Sequence, residues 1–253
     1  MVDVTVISYR SYGTDGPGVI VLHGGPAAAG SACALAKGLS GKFKSIEPWQ
    51  RRSGDQPLSV QRHIDDLEEL VGTFQADVKP ALVGESWGAM LGLAYAAQYP
   101  DTISCLALVG CGTFDVNTRA QLRKTIQTRT SPELEATLVQ LSTDDAPPPF
   151  DKIGFRQTWD DMIRLQEEGI YPSTFSEIDV LVLMLHGDYD PHPGQMIRDS
   201  LLPHIPHLEY IELAKCGHSP CLEKQARAEF FHRLIDWLGL HLPATPDTNT
   251  SLT

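Results

Sequence analysis

The chain has little positive charge and no long apolar segment. Its 253 residues include 20 Lys and Arg against 32 Asp and Glu, which gives a formal net charge of −12. Nucleic-acid-binding proteins need clustered cationic side chains to contact phosphates, so no nucleic-acid partner is expected. The apolar runs are far too short to cross a bilayer, so no membrane span or membrane partner is expected. The first ten residues, MVDVTVISYR, lack a basic region followed by an apolar one, so we expect no secretion signal.

Cysteine is also scarce. The five cysteines are an odd number and include no C-x-x-C pair. A chain of this length can bury a core without covalent links, so we expect reduced thiols and a cytoplasmic location. Cys216, His218 and Cys221 could coordinate a metal, but their spacing matches no common zinc pattern. We therefore expect no metal and no cofactor.

The apolar residues that are present form short runs that alternate with helical patterns. Nearly all-apolar runs are typical of parallel strands covered on both faces. The predicted strands are Val19–Leu22, Phe43–Ile46, Ala81–Val83, Cys105–Val109, Val180–Leu185 and Leu208–Leu213, and the predicted helices are Ser59–Phe74, Ser86–Gln98 and Pro220–Leu238. This alternation predicts an α/β fold with a doubly wound, mostly parallel sheet.

The segment 113–177 contains no convincing strand. Two helical patterns, at about 117–142 and 154–168, flank the Pro-rich link DDAPPPF. We therefore predict a short helical cap inserted into one core of residues 1–112 and 178–240, with a flexible tail at 241–253. Trp159, Tyr171 and Phe175 are candidate substrate-binding residues of this cap, although core packing also explains such aromatic residues.

The pentapeptide Gly84-Glu85-Ser86-Trp87-Gly88 lies directly between a predicted strand and a predicted helix. A strained strand-to-helix turn needs small residues on both sides of a serine held in an unusual backbone conformation. Such a turn lifts the serine Oγ clear of the sheet at a helix N-terminus, where developing negative charge is favoured. The pattern predicts a nucleophilic serine rather than an incidental one.

A serine hydroxyl needs a base, and the base needs a carboxylate that orients it. His218 follows the last predicted strand, in the loop sequence LAKCGHSPCLE. The chain order serine, acid, histidine places the acid between Ser86 and His218 at the end of a strand. The stretch LHGDYDPHPG supplies Asp188 and Asp190 at such a place.

The stretch VIVLHGGPAAAG ends another strand in His23-Gly24-Gly25-Pro26. Backbone N–H groups that no side chain blocks could form an oxyanion hole with the N–H of Trp87. A phosphate-binding loop is the alternative, but the G-x-x-x-x-G-K-[ST] pattern is missing. His23 is expected to brace its own loop by hydrogen bonds.

In this order and spacing, HGGP, GESWG, HGDYD and GHSP resemble the α/β-hydrolase superfamily, and the chain is most similar to its proline-iminopeptidase-like branch. The resemblance covers residues of about 19–112 and 180–238. It implies an α/β-hydrolase fold with Ser86 as nucleophile, Asp190 as acid and His218 as base. It also implies the N–H groups of Gly25 and Trp87 as oxyanion donors. The family's acid lies three residues after the glycine, which selects Asp190, and Pro191 favours the extended backbone suited to that position.

The chain departs from the family pattern at Ala27, where a third glycine is expected, and at Trp49, where the family has Asp. Family iminopeptidases hold the substrate's free amine with acidic cap residues. The candidates here are Asp160, Asp161, Glu167 and Glu168, which helical spacing places mostly on an outer face.

The resemblance implies a serine hydrolase that cleaves an ester, lactone or amide bond of a small-molecule or short-peptide substrate through an acyl-enzyme on Ser86. An aminopeptidase-like enzyme and an esterase both fit. A C–C bond hydrolase or lyase with the same three residues, and a ligand-binding protein without catalysis, stay open as alternatives. The oligomeric state and the identity of the substrate are open.

Overall fold

The computed structural model describes residues 7–74, 78–116, 119, 122 and 148–242. Within this part of the chain, seven strands form one sheet in the order β1-β3-β2-β4-β5-β6-β7. The strands are β1 (Tyr9–Tyr12), β2 (Gly18–Leu22), β3 (Lys44–Pro48), β4 (Ala81–Glu85), β5 (Cys105–Val109), β6 (Leu181–Gly187) and β7 (Glu209–Leu213). Strand β1 pairs antiparallel with β3, and every other pair is parallel. The predicted doubly wound, mostly parallel sheet is therefore confirmed.

The helices are α1 (Cys33–Leu39), α2 (Val60–Val71), α3 (Trp87–Gln98), α4 (Lys152–Glu167), α5 (Gly194–Leu201) and α6 (Arg227–His241), with a 3-10 turn at Ser173–Glu177. Helices α2 and α3 cover one face of the sheet, and α1 and α6 cover the other. The alternating side chains of each central strand enter two separate apolar clusters, which explains the continuous apolar runs. In the part of the chain that the structure describes, no helix has the length and apolar character of a membrane span.

Helix α4, which lies in the predicted cap segment, is bonded to neighbouring elements by polar side chains. Asp151 caps the helix by accepting from the N–H of Gly154, and the same carboxylate accepts from the N–H of Ser53. Asp161 accepts from the N–H of Val60, at the first turn of α2. These bonds satisfy backbone donors that have no partner within a helix. Most of the other predicted cap helix, 117–142, lies outside the described residues.

The largest differences from the sequence prediction lie at the last helix and at two short helices. The last helix begins at Arg227, whereas the apolar spacing predicted Pro220. Residues 219–226 instead form successive turns, in which the N–H groups of Leu222 and Glu223 donate to Ser219 O. Helices α1 and α5 were not predicted, because their seven and eight residues are too few to show a clear helical period.

Candidate active site

Ser86 occupies the turn between β4 and α3. Its backbone lies at φ 54° and ψ −114°, a positive-φ conformation that is costly for any residue with a Cβ atom. The Ser86 N–H donates to Val109 O on the adjacent strand, which fixes the turn against the sheet. A Cβ atom at Gly88 would lie 2.3 Å from Leu22 O, so helix α3 meets the sheet closely because this residue is glycine. Close packing of the helix against the sheet therefore explains the glycine at position 88 of the predicted turn.

The loop after β2 approaches this serine with its backbone. A Cβ atom at Gly24 would lie 3.3 Å from Ser86 Cβ and 4.0 Å from Ser86 Oγ. Gly25 follows at φ 57°, which favours glycine, and its carbonyl accepts from the N–H of Ala28. The N–H of Trp87, as the first residue of α3, has no partner within the helix. The two predicted oxyanion donors thus belong to backbone segments on either side of the Ser86 turn.

Gln50 joins these two segments. Its backbone N–H donates to His23 Nε2 and its side-chain amide donates to His23 O, each at 3.2 Å. Its side-chain oxygen accepts from Trp87 Nε1 at 2.7 Å. His23 Nδ1 donates to Gly24 O at 3.1 Å, and burial lowers the pKa of His23 to about 4. A neutral His23 therefore braces the glycine loop as predicted.

Asp190 lies in the loop after β6 and is fully buried. Its carboxylate accepts from His218 Nδ1 at 2.9 Å and from the backbone N–H of His192 at 2.8 Å. Burial alone would raise the pKa of Asp190, but the charge of His218 and the hydrogen bonds from His192 and His218 hold it well below its ordinary value. Asp190 is therefore ionised, which suits a carboxylate that orients a histidine.

Asp188, two residues earlier, is exposed and faces a different group. Its Oδ1 accepts from the backbone N–H of Cys216 at 3.0 Å. Glu223 binds the same loop, which follows β7 and carries His218. It accepts from the N–H of Gly217 at 2.6 Å and from the N–H of Ser219 at 3.1 Å. Two carboxylates thus hold the backbone that carries His218. The role of Glu223 has no recognisable sequence signal, because it depends on a turn that interrupts the predicted helix.

His218 lies against Asp190 beside the end of β5. A Cβ atom at Gly110 would lie 2.8 Å from His218 O, 3.2 Å from His218 Nδ1 and 3.3 Å from Asp190 Oδ2. Gly110 directly follows Val109, the residue that accepts from the Ser86 N–H. The structure thus gathers the predicted nucleophile, acid and base around one strand end.

The pKa of His218 is set by opposing effects. Burial lowers it, but the charge of Asp190, the hydrogen bond to that carboxylate and the charge of Glu85 raise it, and the net shift is upward. Glu85 is itself buried beside Ser86, and burial raises its pKa. Sequence reasoning passed over Glu85 because it occupies the variable position of the G-x-S-x-G pattern.

Two further histidines surround Asp190. His186 is fully buried and its Nε2 donates to His192 O at 2.9 Å, with Asp190 Oδ2 at 3.1 Å. His192 Nδ1 lies 3.1 Å from Asp190 Oδ1, and its ring stacks on His218 with centroids 4.7 Å apart. Three imidazole rings therefore share one buried carboxylate.

The aromatic residues predicted to bind substrate lie in packed positions. Phe175 has no exposed surface and Tyr171 has 8%, and both rings contact Phe114. This packing favours the core alternative for Tyr171 and Phe175, which fix the 3-10 turn against α3. Trp159 is partly buried and its ring lies 5.5 Å from that of Trp87. It thus contacts the helix that begins at Ser86.

The acidic cap residues face solvent or bind neighbouring groups. Asp160 and Glu167 are exposed, and Glu168 pairs with Arg164 at 2.6 Å. Asp161 binds Val60 and Arg164. The first predicted cap helix also carries four basic residues, Arg119, Arg123, Lys124 and Arg129, and all but Arg119 lie outside the described residues. Cys216 and Cys221 are buried and reduced.

Comparison with known proteins identifies the family to which the chain is similar. The model of the Alpha/beta hydrolase family matches residues 2–233. A curated relative, the cis-3-alkyl-4-alkyloxetan-2-one decarboxylase of Shewanella oneidensis, is 31% identical over 107 residues, which cover 39% of this chain and 34% of that protein. The aligned part is therefore about a third of that relative's length.

Solved structures extend the likeness to nearly the whole chain. A thermophilic esterase from Thermogutta terrifontis has a TM-score of 0.67 at 19% identity, with 94% of each chain covered. E-2-(Acetamidomethylene)succinate hydrolase has a TM-score of 0.68 at 17% identity, with 92% of this chain and 95% of that chain covered. At these identities the likeness shows a common fold.

Proposed function

The chain belongs to the alpha/beta hydrolase family, and from that membership we propose that it is a serine hydrolase that uses Ser86, His218 and Asp190. The observation that carries the proposal is the bond of 2.9 Å between His218 Nδ1 and the buried Asp190, beside the strained turn of Ser86. A carboxylate only accepts, so Nδ1 carries the proton and Nε2 keeps its lone pair. This is the tautomer that a general base for a serine hydroxyl requires.

The first half-reaction forms an acyl-enzyme. His218 Nε2 takes the proton of Ser86 Oγ as this oxygen attacks the substrate's carbonyl carbon, and Asp190 stabilises the imidazolium. The N–H groups of Gly25 and Trp87 donate to the oxyanion. As the tetrahedral intermediate collapses, the bond to the leaving group breaks and His218 gives that group the proton. The second half-reaction repeats these steps with water as the nucleophile, which releases the acid and restores Ser86.

Gln50 acts as a positioning residue in this scheme. It binds the loop that presents Gly25 and the side chain of Trp87, so it fixes the two donor segments relative to each other. Donors that are held in place before the charge develops need no reorganisation in the transition state.

An ester or lactone of a small molecule is the substrate class that we propose. Recognition of a peptide's free amine would need a cap carboxylate directed at Ser86. Among the predicted candidates, all within the described residues, Asp160, Glu167 and Glu168 are exposed and Asp161 binds Val60 and Arg164. The esterase fold neighbour and the oxetan-2-one named for the partial relative agree with oxygen esters. A proline-iminopeptidase-like activity on short peptides is the second candidate, which the GESWG and HGGP motifs favour.

Fluorophosphonate labelling tests the nucleophile. We expect the wild-type protein to react at one serine and Ser86→Ala not to react, because the probe phosphonylates only an activated serine. Ser176→Ala is the matched control, since Ser176 is exposed on the 3-10 turn, and it should label like the wild type. Equal labelling of Ser86→Ala would overturn the assignment.

Two chromogenic substrates separate the candidate activities. Turnover of p-nitrophenyl acetate that depends on Ser86, without turnover of proline β-naphthylamide, is the expected result. Turnover of the amide alone would support the aminopeptidase alternative, and turnover of neither would support a ligand-binding protein.

A further inference from the structure

Asp190, His192 and His218 place three metal-binding atoms together, and we propose that they form an inhibitory site for a divalent transition metal such as Zn²⁺. One ligand atom from each residue lies within 4.8 Å of the other two. Asp190 Oδ1 lies 3.1 Å from His192 Nδ1 and 3.1 Å from His218 Nδ1. This convergence is the observation that carries the proposal, and the inhibitory part of it rests on the proposed function.

Asp190 Oδ1 lies at suitable distances from both imidazole nitrogens for a tetrahedral metal. Zinc binds imidazole nitrogen and carboxylate oxygen at about 2.0–2.2 Å, so neighbouring ligands of a tetrahedral ion lie about 3.3–3.5 Å apart. The observed separations of 3.1 Å between nitrogen and oxygen need only a small expansion. Three protein ligands leave a fourth position for water, as in open zinc sites.

The chemistry of the ligands selects the metal. Two imidazoles and one carboxylate suit Zn²⁺, Co²⁺, Ni²⁺ or Cu²⁺, whereas Mg²⁺ and Ca²⁺ prefer oxygen ligands alone. Asp190 is fully buried, and its Oδ1 lies between the two imidazole nitrogens. The His192 and His218 side chains are 19% and 31% exposed, which gives an ion access from solvent.

Metal binding would inhibit by changing the tautomer of His218. In the metal-free site the His218 proton is on Nδ1, where it bonds to Asp190, and Nε2 keeps the lone pair that takes the Ser86 proton in the proposed reaction. A metal on Nδ1 uses that nitrogen's lone pair, so the ring proton moves to Nε2 and no net proton is released from a neutral ring. Nε2 then donates and can no longer take the Ser86 proton. The bound metal therefore removes the base without entering the acyl pocket.

His192 distinguishes this site from an ordinary serine, histidine and acid arrangement. It brings a third ligand that the proposed catalytic steps do not use. The loop fixes it at both backbone groups, because its N–H donates to Asp190 Oδ1 and its carbonyl accepts from His186 Nε2. Replacement of its ring therefore tests the metal site while Asp190 and His218 stay in place.

Binding is measured first, without any substrate, by titrating the protein with Co²⁺ and following its visible absorption. We expect one Co²⁺ per chain with the intense bands of a tetrahedral ion, displaced by Zn²⁺ and not by Mg²⁺. His192→Asn keeps a donor near Asp190 but loses the imidazole ligand, and it should weaken binding by about 100-fold or more. The matched control is His232→Asn, which removes a histidine from the exposed His232 and Asp236 pair and should bind like the wild type.

Kinetics on the same proteins then test the inhibition. Zn²⁺ should lower the kcat of the wild type by about 10³-fold or more at saturation, on the scale of a lost tautomer, with little change of KM. A chelator should restore activity. The rate of His192→Asn is compared with its own rate without metal. This variant should need a Zn²⁺ concentration about 100-fold higher than the wild type for half-inhibition. His192→Gln is the second variant that removes the imidazole ring. If its circular dichroism spectrum is native, its metal binding and inhibition should be weakened in the same way.

The outcomes separate the two proposals. No Co²⁺ binding by the wild type, or binding by His192→Asn with wild-type affinity, would overturn the metal site. Binding that leaves kcat unchanged, or that raises KM alone, would overturn the tautomer mechanism. Binding that depends on His192 in a protein without activity on any ester would support the metal site and contradict the proposed hydrolase function.

Discussion

At the scale of single residues, two aspartates in one loop have different surroundings. Asp190 is fully buried and accepts from an imidazole, whereas Asp188 is exposed and accepts from the backbone N–H of Cys216. A carboxylate that accepts from an imidazole sets the tautomer and the pKa of that imidazole. A backbone N–H needs only an oxygen that accepts its hydrogen bond, and this oxygen need not be charged. The two positions should therefore respond differently to the same substitution by asparagine.

The pH dependence of kcat/KM tests this difference. Because Asp190 raises the pKa of His218, and the base must be neutral, wild-type activity should fall as the pH drops through a value above the ordinary His pKa of about 6.5. Asp190→Asn should lower kcat by about 10⁴-fold and move this acid limb to lower pH, since the charge that raises the pKa is lost. The assay contains a chelator, so that bound metal has no effect.

Asp188→Asn is the matched control for that measurement. Its amide oxygen still accepts from Cys216, so activity should stay within about threefold of wild type, on the scale of one retained hydrogen bond. A large loss in Asp188→Asn with none in Asp190→Asn would show that the acid has been assigned to the wrong residue.

At the scale of elements, helix α3 positions Ser86 by lying very close to the sheet. The approach requires glycine where the helix crosses strand β2, since a Cβ atom at Gly88 would lie 2.3 Å from Leu22 O and 2.9 Å from His23 O. Those two carbonyls precede the glycine loop, so the fit of the helix also sets the place of the predicted oxyanion donors. One turn later, a Cβ atom at Gly92 would meet only side chains, with Leu106 Cδ1 at 2.9 Å and Leu22 Cδ1 at 4.0 Å.

Gly88→Ala should therefore be far more damaging than Gly92→Ala. Overpacking against backbone at Gly88 should cost about 2 kcal/mol or more and lower activity, because the helix and the loop must separate. At Gly92 the Leu106 methyl can move and alanine favours the helix, so stability should stay within about 1 kcal/mol of wild type. Thermal unfolding and esterase assays on both variants measure this. If alanine were tolerated equally well at Gly88 and Gly92, the close contact between Gly88 and strand β2 would be contradicted.

The sequence predicted the elements whose positions depend on local patterns of apolar residues and glycines. The central strands and the Ser86 turn follow from apolar runs and glycine spacing, and they lie within a few residues of their predicted places. The start of α6 was wrong because the apolar spacing continues through turns that Glu223 stabilises. The His192 and Gln50 contacts join loops from different strands, so no periodicity indicates them.

At the scale of the whole molecule, the sheet divides the described core into two apolar halves, and the cysteines are distributed between them. All five thiols are free and buried. Burial raises the pKa of Cys105 to about 12 and also raises the pKa of Cys111, Cys216 and Cys221. The thiolate is the reactive form, so the native protein should be inert to thiol reagents even beside His218.

Titration with Ellman's reagent measures this inertness. We expect all five thiols to react after unfolding in guanidinium chloride and none to react within minutes in the native protein. Dithiothreitol should leave the melting temperature unchanged, because no covalent link is available for reduction. Rapid reaction of a native thiol, or a lower melting temperature under reduction, would contradict the buried, reduced state.

The order of the strands also has a consequence for the moment at which the protein becomes reactive during synthesis. The glycine loop and Ser86 follow β2 and β4, in the first part of the chain to leave the ribosome, whereas Asp190 and His218 follow β6 and β7. Until β6 has paired with β5 and β7 with β6, a nascent chain of the proposed hydrolase holds its serine without a base. A nascent chain of the proposed hydrolase should therefore have no esterase activity before β6 and β7 are in place.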